Sequence, residues 1–174
     1  MQHRSRAPTT QLPPAPLWRR LAAIFYDSLL LVALWMVTSG LYLALLAAVM
    51  GSETLRLQAD SGGLNRNPLL GSLLFLVTFF FFAYFWRRLG QTLGMQVWRV
   101  RIQTLDGSPL RWTQCILRFM GALFSMLPAG LGYWWMLWDR EGKTWHDRYS
   151  LTETVLMPPR TGKSEKRKPA SERG

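Results

Sequence analysis

Arg20, Ala23 and Asp27 fall inside WRRLAAIFYDSLLL, residues 18–31, at the head of a run that stays otherwise apolar to Met50. Positions i, i+3 and i+7 share one face of a helix. A carboxylate in hydrocarbon is expensive, so Asp27 either sits at a membrane interface or faces a protein interior that pairs it. Arg20 lies about 10 Å from it along the helix axis, too far for an ordinary salt bridge. Two basic partners are open to Asp27: Arg118, the single charge of a later apolar segment, and Arg20 of a second copy. Ala23 is small and lets another helix approach that face.

A second cluster closes the chain. In DREGKTWHDRYSLTETVL, residues 139–156, His146 adjoins Asp147. Neighbours on a helix do not face each other, so adjacency implies no proton relay. The plain expectation is a polar helix end at which Asp147 caps backbone donors. Other chemistry is thinly represented. Cys115 is the only cysteine, and His3 and His146 are the only histidines, which leaves no intramolecular disulfide and no metal-ligand spacing. Neither H-E-x-x-H nor G-x-S-x-G occurs, so no enzyme activity, metal or cofactor is expected.

These residues need elements to hold them. Residues 1–16 contain four prolines and read as a flexible lead-in. From about residue 20 to 50, and again from 69 to 86, the chain is apolar for long enough to cross a bilayer. Trp18-Arg19-Arg20-Leu21 precedes the first span and Trp86-Arg87-Arg88-Leu89 follows the second. Tryptophan favours the headgroup level and arginine the cytoplasmic side. The two WRRL sequences therefore predict a helical hairpin with a cytoplasmic N terminus and an external loop at 51–68. Gly40, Ala44 and Ala48 add a stripe of small residues suited to close helix packing.

Between residues 90 and 112, Trp98, Val100 and Ile102 alternate with polar neighbours before the Asp106-Gly107 turn. That period predicts a short strand or hairpin at the cytoplasmic interface. Residues 112–138 form a third apolar segment, interrupted by Pro128, Gly130 and Gly132. It either crosses the membrane or re-enters as a hairpin bent at Pro128. Residues 158–174 carry six basic and two acidic residues and read as a disordered tail. A single crossing would put this tail outside, against the positive-inside bias. The expected fold is thus an all-α membrane domain over 17–157: two transmembrane helices, a third apolar segment and a small interfacial strand element.

The net charge of +11 comes from 21 basic and 10 acidic residues. The arginines gather at the ends of apolar segments, not on an aromatic sheet or a recognition helix, so nucleic acid is not an expected partner. The lipid bilayer is.

Three separated pieces together resemble the RDD-domain membrane proteins. They are Arg20-x-x-Ala23-x-x-x-Asp27, the Gly90-x-Thr92-x-Gly94 block, and His146-Asp147 followed by a threonine-bearing apolar strand. The resemblance covers roughly residues 14–157. It implies that Arg20, Asp27 and Asp147 are the name-giving arginine and aspartates, with Arg118 a further family arginine. Met95-Gln96 stands where basic residues are common in the family. The resemblance also implies a small multipass protein of the bacterial cytoplasmic membrane, with ion or solute transport the usual suggestion. Two or three helices enclose no pathway, so transport requires a homo-oligomer or a larger membrane partner. An accessory or scaffold protein, with a structural arginine–aspartate network, is the alternative.

Overall fold

In a computed structural model of the chain, residues 12–63, 68–126 and 130–159 are described. Two long helices dominate. Helix α1, Leu17–Met50, has 34 residues and ends at Gly51, whose φ of 86° turns the chain. A nine-residue helix α2, Ser52–Asp60, comes next. Helix α3, Pro68–Arg88, has 21 residues and opens on proline, whose missing N–H costs nothing in the first turn. Both α1 and α3 are apolar and long enough to cross a membrane. Their flanks are unburied: Met36, Val37, Leu41, Leu45 and Val49 all stand exposed along α1. Gly40 has open space around it, so at that point the small-residue stripe packs on nothing among the described residues.

The 51–68 segment was expected to be a loop, and α2 corrects that. Its glycines and asparagines sit at the ends, whereas Glu53, Leu55, Arg56, Leu57, Gln58 and Ala59 are good helix formers. Residues 64–67 lie outside the described residues.

At the WRRL-bearing ends the chain builds a small cap. Helix α4, Leu93–Val97, is capped by the Thr92 hydroxyl, which accepts from the Met95 N–H. Strand β1, Val100–Thr104, follows, with Val100, Ile102 and Thr104 facing inward. The alternation had suggested a strand or a local hairpin. The strand forms, but its antiparallel partner is the distant β2, Thr152–Leu156, with Val100 opposite Leu156 and Thr104 opposite Thr152. The turn at Asp106 and Gly107 ends β1 without returning a second strand. The lead-in joins the same sheet: Pro14 bridges Val155, and the Ala15 N–H donates to the Thr154 carbonyl at 3.0 Å. Ala15 is fully buried, so the end of the segment expected to be flexible is hydrogen-bonded in place. Residues 1–11 and the tail from 160 lie outside the described residues.

The third apolar segment contains helix α5, Trp112–Met126, of 15 residues. After it come the short helix α6, Leu131–Trp134, and a 3-10 turn at Trp135–Leu137. A 15-residue helix is about 22 Å long, short of the bilayer core. The expected bend at Pro128 lies outside the described residues. Helix α7, Trp145–Tyr149, carries His146 and Asp147. Ala83 and Trp86 of α3, Met95 of α4, Val100 and Ile102 of β1, and Cys115 and Phe119 of α5 make up most of the buried core. That core lies where the ends of the long helices meet the cap.

Candidate functional site

Asp147 is fully buried at the third position of α7 and is surrounded by donors. Its Oδ1 accepts from Arg118 Nη1 at 2.6 Å and from the Thr154 hydroxyl at 2.8 Å. Its Oδ2 accepts from Arg20 Nη1 at 2.7 Å and from the Thr144 backbone N–H at 3.2 Å. Thr144 returns the contact by accepting from the Asp147 N–H, which completes a capping box. Burial alone would raise this carboxyl, but the Arg118 and Arg20 guanidiniums outweigh it and hold Asp147 well below the usual carboxylate range.

The two arginines fasten several parts of the chain to that carboxylate. Arg20 also donates from Nε to the Ala15 carbonyl at 2.9 Å, and from Nη2 to the carbonyls of Gly142 and Thr154, each at 3.1 Å. Arg118 donates to the hydroxyls of Thr152 at 2.6 Å and Thr154 at 2.8 Å. The first turn of α1, the lead-in, β2, α5 and α7 thus meet at one charge. Only a planar fork of N–H groups reaches so many acceptors at once.

Asp27 faces the interior, as the spacing of Arg20, Ala23 and Asp27 suggested, but it does not meet Arg118, the basic partner expected for it within the chain. Within the chain Arg118 pairs with Asp147. Asp27 instead accepts from the Thr92 hydroxyl through Oδ2 and from the Gly94 N–H at 2.9 Å through Oδ1. The helix that Ala23 admits is therefore α4 of the same chain. The approach is close enough that a Cβ on Gly94 would overlap the Ala23 carbonyl and lie 2.9 Å from Asp27 Oδ1. We predict that Gly94→Ala pries α4 off α1, at a cost of about 1–3 kcal/mol typical of overpacking. A melt in detergent equal to that of the parent would refute this. Gly90 has a related duty. Its φ is 67°, and a Cβ there would lie 2.7 Å from the Ile102 carbonyl, so only glycine lets the chain leave α3 this close to β1.

Beneath these groups is a partly open cavity of about 370 Å³. Arg20, Asp27, Thr92, Arg118, Tyr133 and His146 line it together with Ile24, Leu31, Trp35, Phe82, Phe119 and Leu123. Helix α3 packs against both α1 and α5, and the cavity lies between those two. Trp35 Nε1 donates to the Thr78 hydroxyl at 2.8 Å, tying α1 to α3 at its apolar end. His146 does not pair with Asp147. Its ring stacks at a tilt on Tyr133, centroids 4.8 Å apart. Burial, reinforced by Arg118, lowers its pKa to about 3, so the ring is neutral at ordinary pH. His146 Nδ1 and Trp86 Nε1 are buried and have no hydrogen-bond partner among the described residues.

The structure brings Arg20, Arg118 and Asp147 into one cluster and keeps Asp27 in a separate one with Thr92 and Gly94. The cavity wall joins the two clusters. Sequence reasoning missed Thr144, Thr152, Thr154, Tyr133 and Trp86. Two signals were present: the T-x-x-D spacing of Thr144 and Asp147, which is a capping-box pattern, and the period-two threonines of TETVL. Among the described residues, no group of histidines, cysteines and carboxylates has metal-binding geometry.

Comparison with known proteins yields one assignment. The model of the RDD family matches residues 14–150. No curated protein matches the chain, and no solved structure does.

Proposed function

The chain belongs to the RDD family, and from that premise we propose an accessory or scaffold membrane protein whose arginine–aspartate network is structural. One observation carries this reading: both aspartates are engaged inside the chain, Asp147 by four donors and Asp27 by two. An ion passing along these carboxylates would have to displace charge-assisted hydrogen bonds, which are among the stronger ones.

On this reading α1 and α3 cross the cytoplasmic membrane with their WRRL ends inside. From Ser28 to Met50, α1 still offers about 35 Å of helix, enough for the hydrocarbon core. Arg20 and Asp27 then lie in the cap at the inner interface. β2 hydrogen-bonds to both the lead-in and β1, and on this reading the chain between Thr104 and Thr152 returns to the side it left. That supports a re-entrant or interfacial third segment and a cytoplasmic basic tail, in keeping with the positive-inside bias. The exposed flanks of α1 leave room for a second copy or a larger membrane partner.

The cavity favours a second reading, solute transport, because Arg20, Asp27 and Arg118 stand on its wall. Asp27→Asn separates the two. For a structural carboxylate, the melt in detergent should drop by about 1–3 kcal/mol, the cost of a mismatched buried acceptor, with ion flux in proteoliposomes unchanged. Parent-like stability with abolished flux would transfer the proposal to transport.

A further inference from the structure

A second recess, beside the sheet, carries charge of one sign only. It is open, about 310 Å³ in volume, and its walls include Leu12 and Pro13 of the lead-in, Leu156 and Met157 at the end of β2, and Arg19 and Arg99. No acidic residue is among those that line it. Backbone bonds fix the walls to one another: the Leu156 N–H donates to the Pro13 carbonyl and the Met157 N–H to the Arg99 carbonyl, each at 2.8 Å. Arg19 and Arg99 are half-buried, and neither forms an ion pair among the described residues. Arg20 and Arg118 differ in sharing Asp147, and Arg88 and Arg111 differ in standing exposed. Two like charges drawn partly out of water lose hydration and repel each other, and an anion held by both relieves both costs.

Both side chains are held ready. The Arg19 guanidinium lies 4.8 Å from the centroid of the Trp18 ring, and its Nη1 donates to the Trp98 carbonyl at 3.2 Å. Its other nitrogens are uncommitted among the described residues, and a planar guanidinium matches the geometry of phosphate oxygens. Arg99 has a φ of 57°, a conformation that residues with a long side chain seldom adopt. Glycine would sit there without strain, so arginine occupies the position at a cost in backbone energy, a pattern typical of side chains in use. The depth is marked by aromatic rings. Trp18 and Trp98 meet edge to face with centroids 5.5 Å apart, and Tyr26 joins Trp98 at 6.2 Å. Such rings favour the headgroup level. With the WRRL ends inside, the recess opens at the inner leaflet, whose surface is rich in anionic phospholipid.

We propose that Arg19 and Arg99 form a binding site for a phosphate group, presented by an anionic phospholipid of the inner leaflet. The placement at that leaflet rests on the membrane orientation given above. It is the same whether the protein acts as a scaffold or a transporter. A zwitterionic phospholipid carries the same phosphate beside a fixed cation, which two unpaired guanidiniums disfavour.

Native mass spectrometry of the delipidated full-length protein in detergent tests it, with phosphatidylglycerol, phosphatidylcholine of the same acyl chains, and inorganic phosphate as probes. The first phosphatidylglycerol is expected to bind saturably, to be retained about tenfold better than phosphatidylcholine, and to resist displacement by an equal concentration of inorganic phosphate. Arg19→Gln and Arg99→Gly should each weaken that first lipid by about tenfold, the loss of one charge-assisted contact, while melting like the parent. Glycine suits the backbone at position 99, and the variant at position 19 decides independently should the other misfold. Arg88→Gln and Arg111→Gln remove the same charge from exposed positions and should leave the lipid in place. Full retention in the folded Arg19→Gln and Arg99→Gly proteins, or equal losses in all four variants, would overturn the site. Equal retention of phosphatidylcholine would overturn the preference for an anionic headgroup, and displacement by inorganic phosphate would overturn the lipid as its source. Orientation is read apart from binding by an impermeant maleimide on Glu53→Cys of α2 in spheroplasts, Cys115 being buried. Labelling is expected; its absence would overturn the inner-leaflet placement and leave the phosphate site to the binding arms.

Discussion

Asp147→Asn is expected to destabilise the folded chain by about 3–5 kcal/mol, the usual cost of removing one side of a buried ion pair. The substitution is nearly isosteric, so packing is not what fails. Each carboxylate oxygen accepts from one arginine, and each also accepts from a second donor, Thr154 or the Thr144 N–H. An amide must turn its NH2 toward one of these pairs, setting donor against donor. It also leaves two guanidiniums buried with no carboxylate between them. A domain stable by about 5–15 kcal/mol loses a large share of that margin. The measurement is a thermal or denaturant melt in a mild detergent. A variant within about 1 kcal/mol of the parent would show that the cluster is not what holds the cap to the helices. Arg20→Lys is expected to fall on the same side, since an ammonium group cannot reach the carbonyls of Ala15, Gly142 and Thr154 together with Asp147.

The second large effect is a loss of stability in mild acid. Inside the protein His146 has a pKa of about 3 against an ordinary value of 6.5, because burial disfavours its charged form, with Arg118 and Arg20 adding to that and Asp147 opposing it. Below pH 6.5 the unfolded chain takes up a proton that the folded chain refuses. Stability therefore falls with pH, by roughly 1.4 kcal/mol per unit at the limit, until the folded ring itself titrates. Between pH 7 and pH 5 the expected loss is about 2 kcal/mol. Asp147 does not contribute in that window. Its folded pKa lies below the carboxylate range, so the stability it supplies is present above that range and is lost only in stronger acid. A His146→Gln variant should melt with little pH dependence from about 7 to 5, whatever its absolute stability. An undiminished slope in that variant would assign the acid sensitivity to other groups.

Much of this arrangement was legible in the sequence where it depends on local rules. The apolar runs marked α1 and α3, and the repeated WRRL marked the ends that share the cap. The spacing of Arg20, Ala23 and Asp27 put them on one buried face, because helical geometry is fixed within a few residues. What spacing could not reveal was Asp27's partner. Gly94 is 67 positions away in the chain, and a hydroxyl or a backbone N–H carries no charge signal to look for. The partner of β1 was hidden for the same reason: Val100 and Leu156 are brought together by the whole cap, while alternation reports only which face of a strand is buried. Helix α4 is little more than a single turn, below the length at which periodicity is visible. Composition hid α2, whose flanking glycines and asparagines outweighed the helix formers between them.

The Arg20–Asp147 pair also has a consequence in time. Its partners stand 127 residues apart, so during synthesis, at about 5–20 residues per second, Arg20 emerges some 6–25 seconds before the carboxylate that neutralises it. Arg118 waits less long, being 29 residues from the same group. Until residue 147 is made, two guanidiniums destined for burial remain uncompensated. The strand that completes the sheet, β2, is made later still. Arrest of the nascent chain before α7 would leave α1 and α3 without their latch, with the arginines of the cap unmatched.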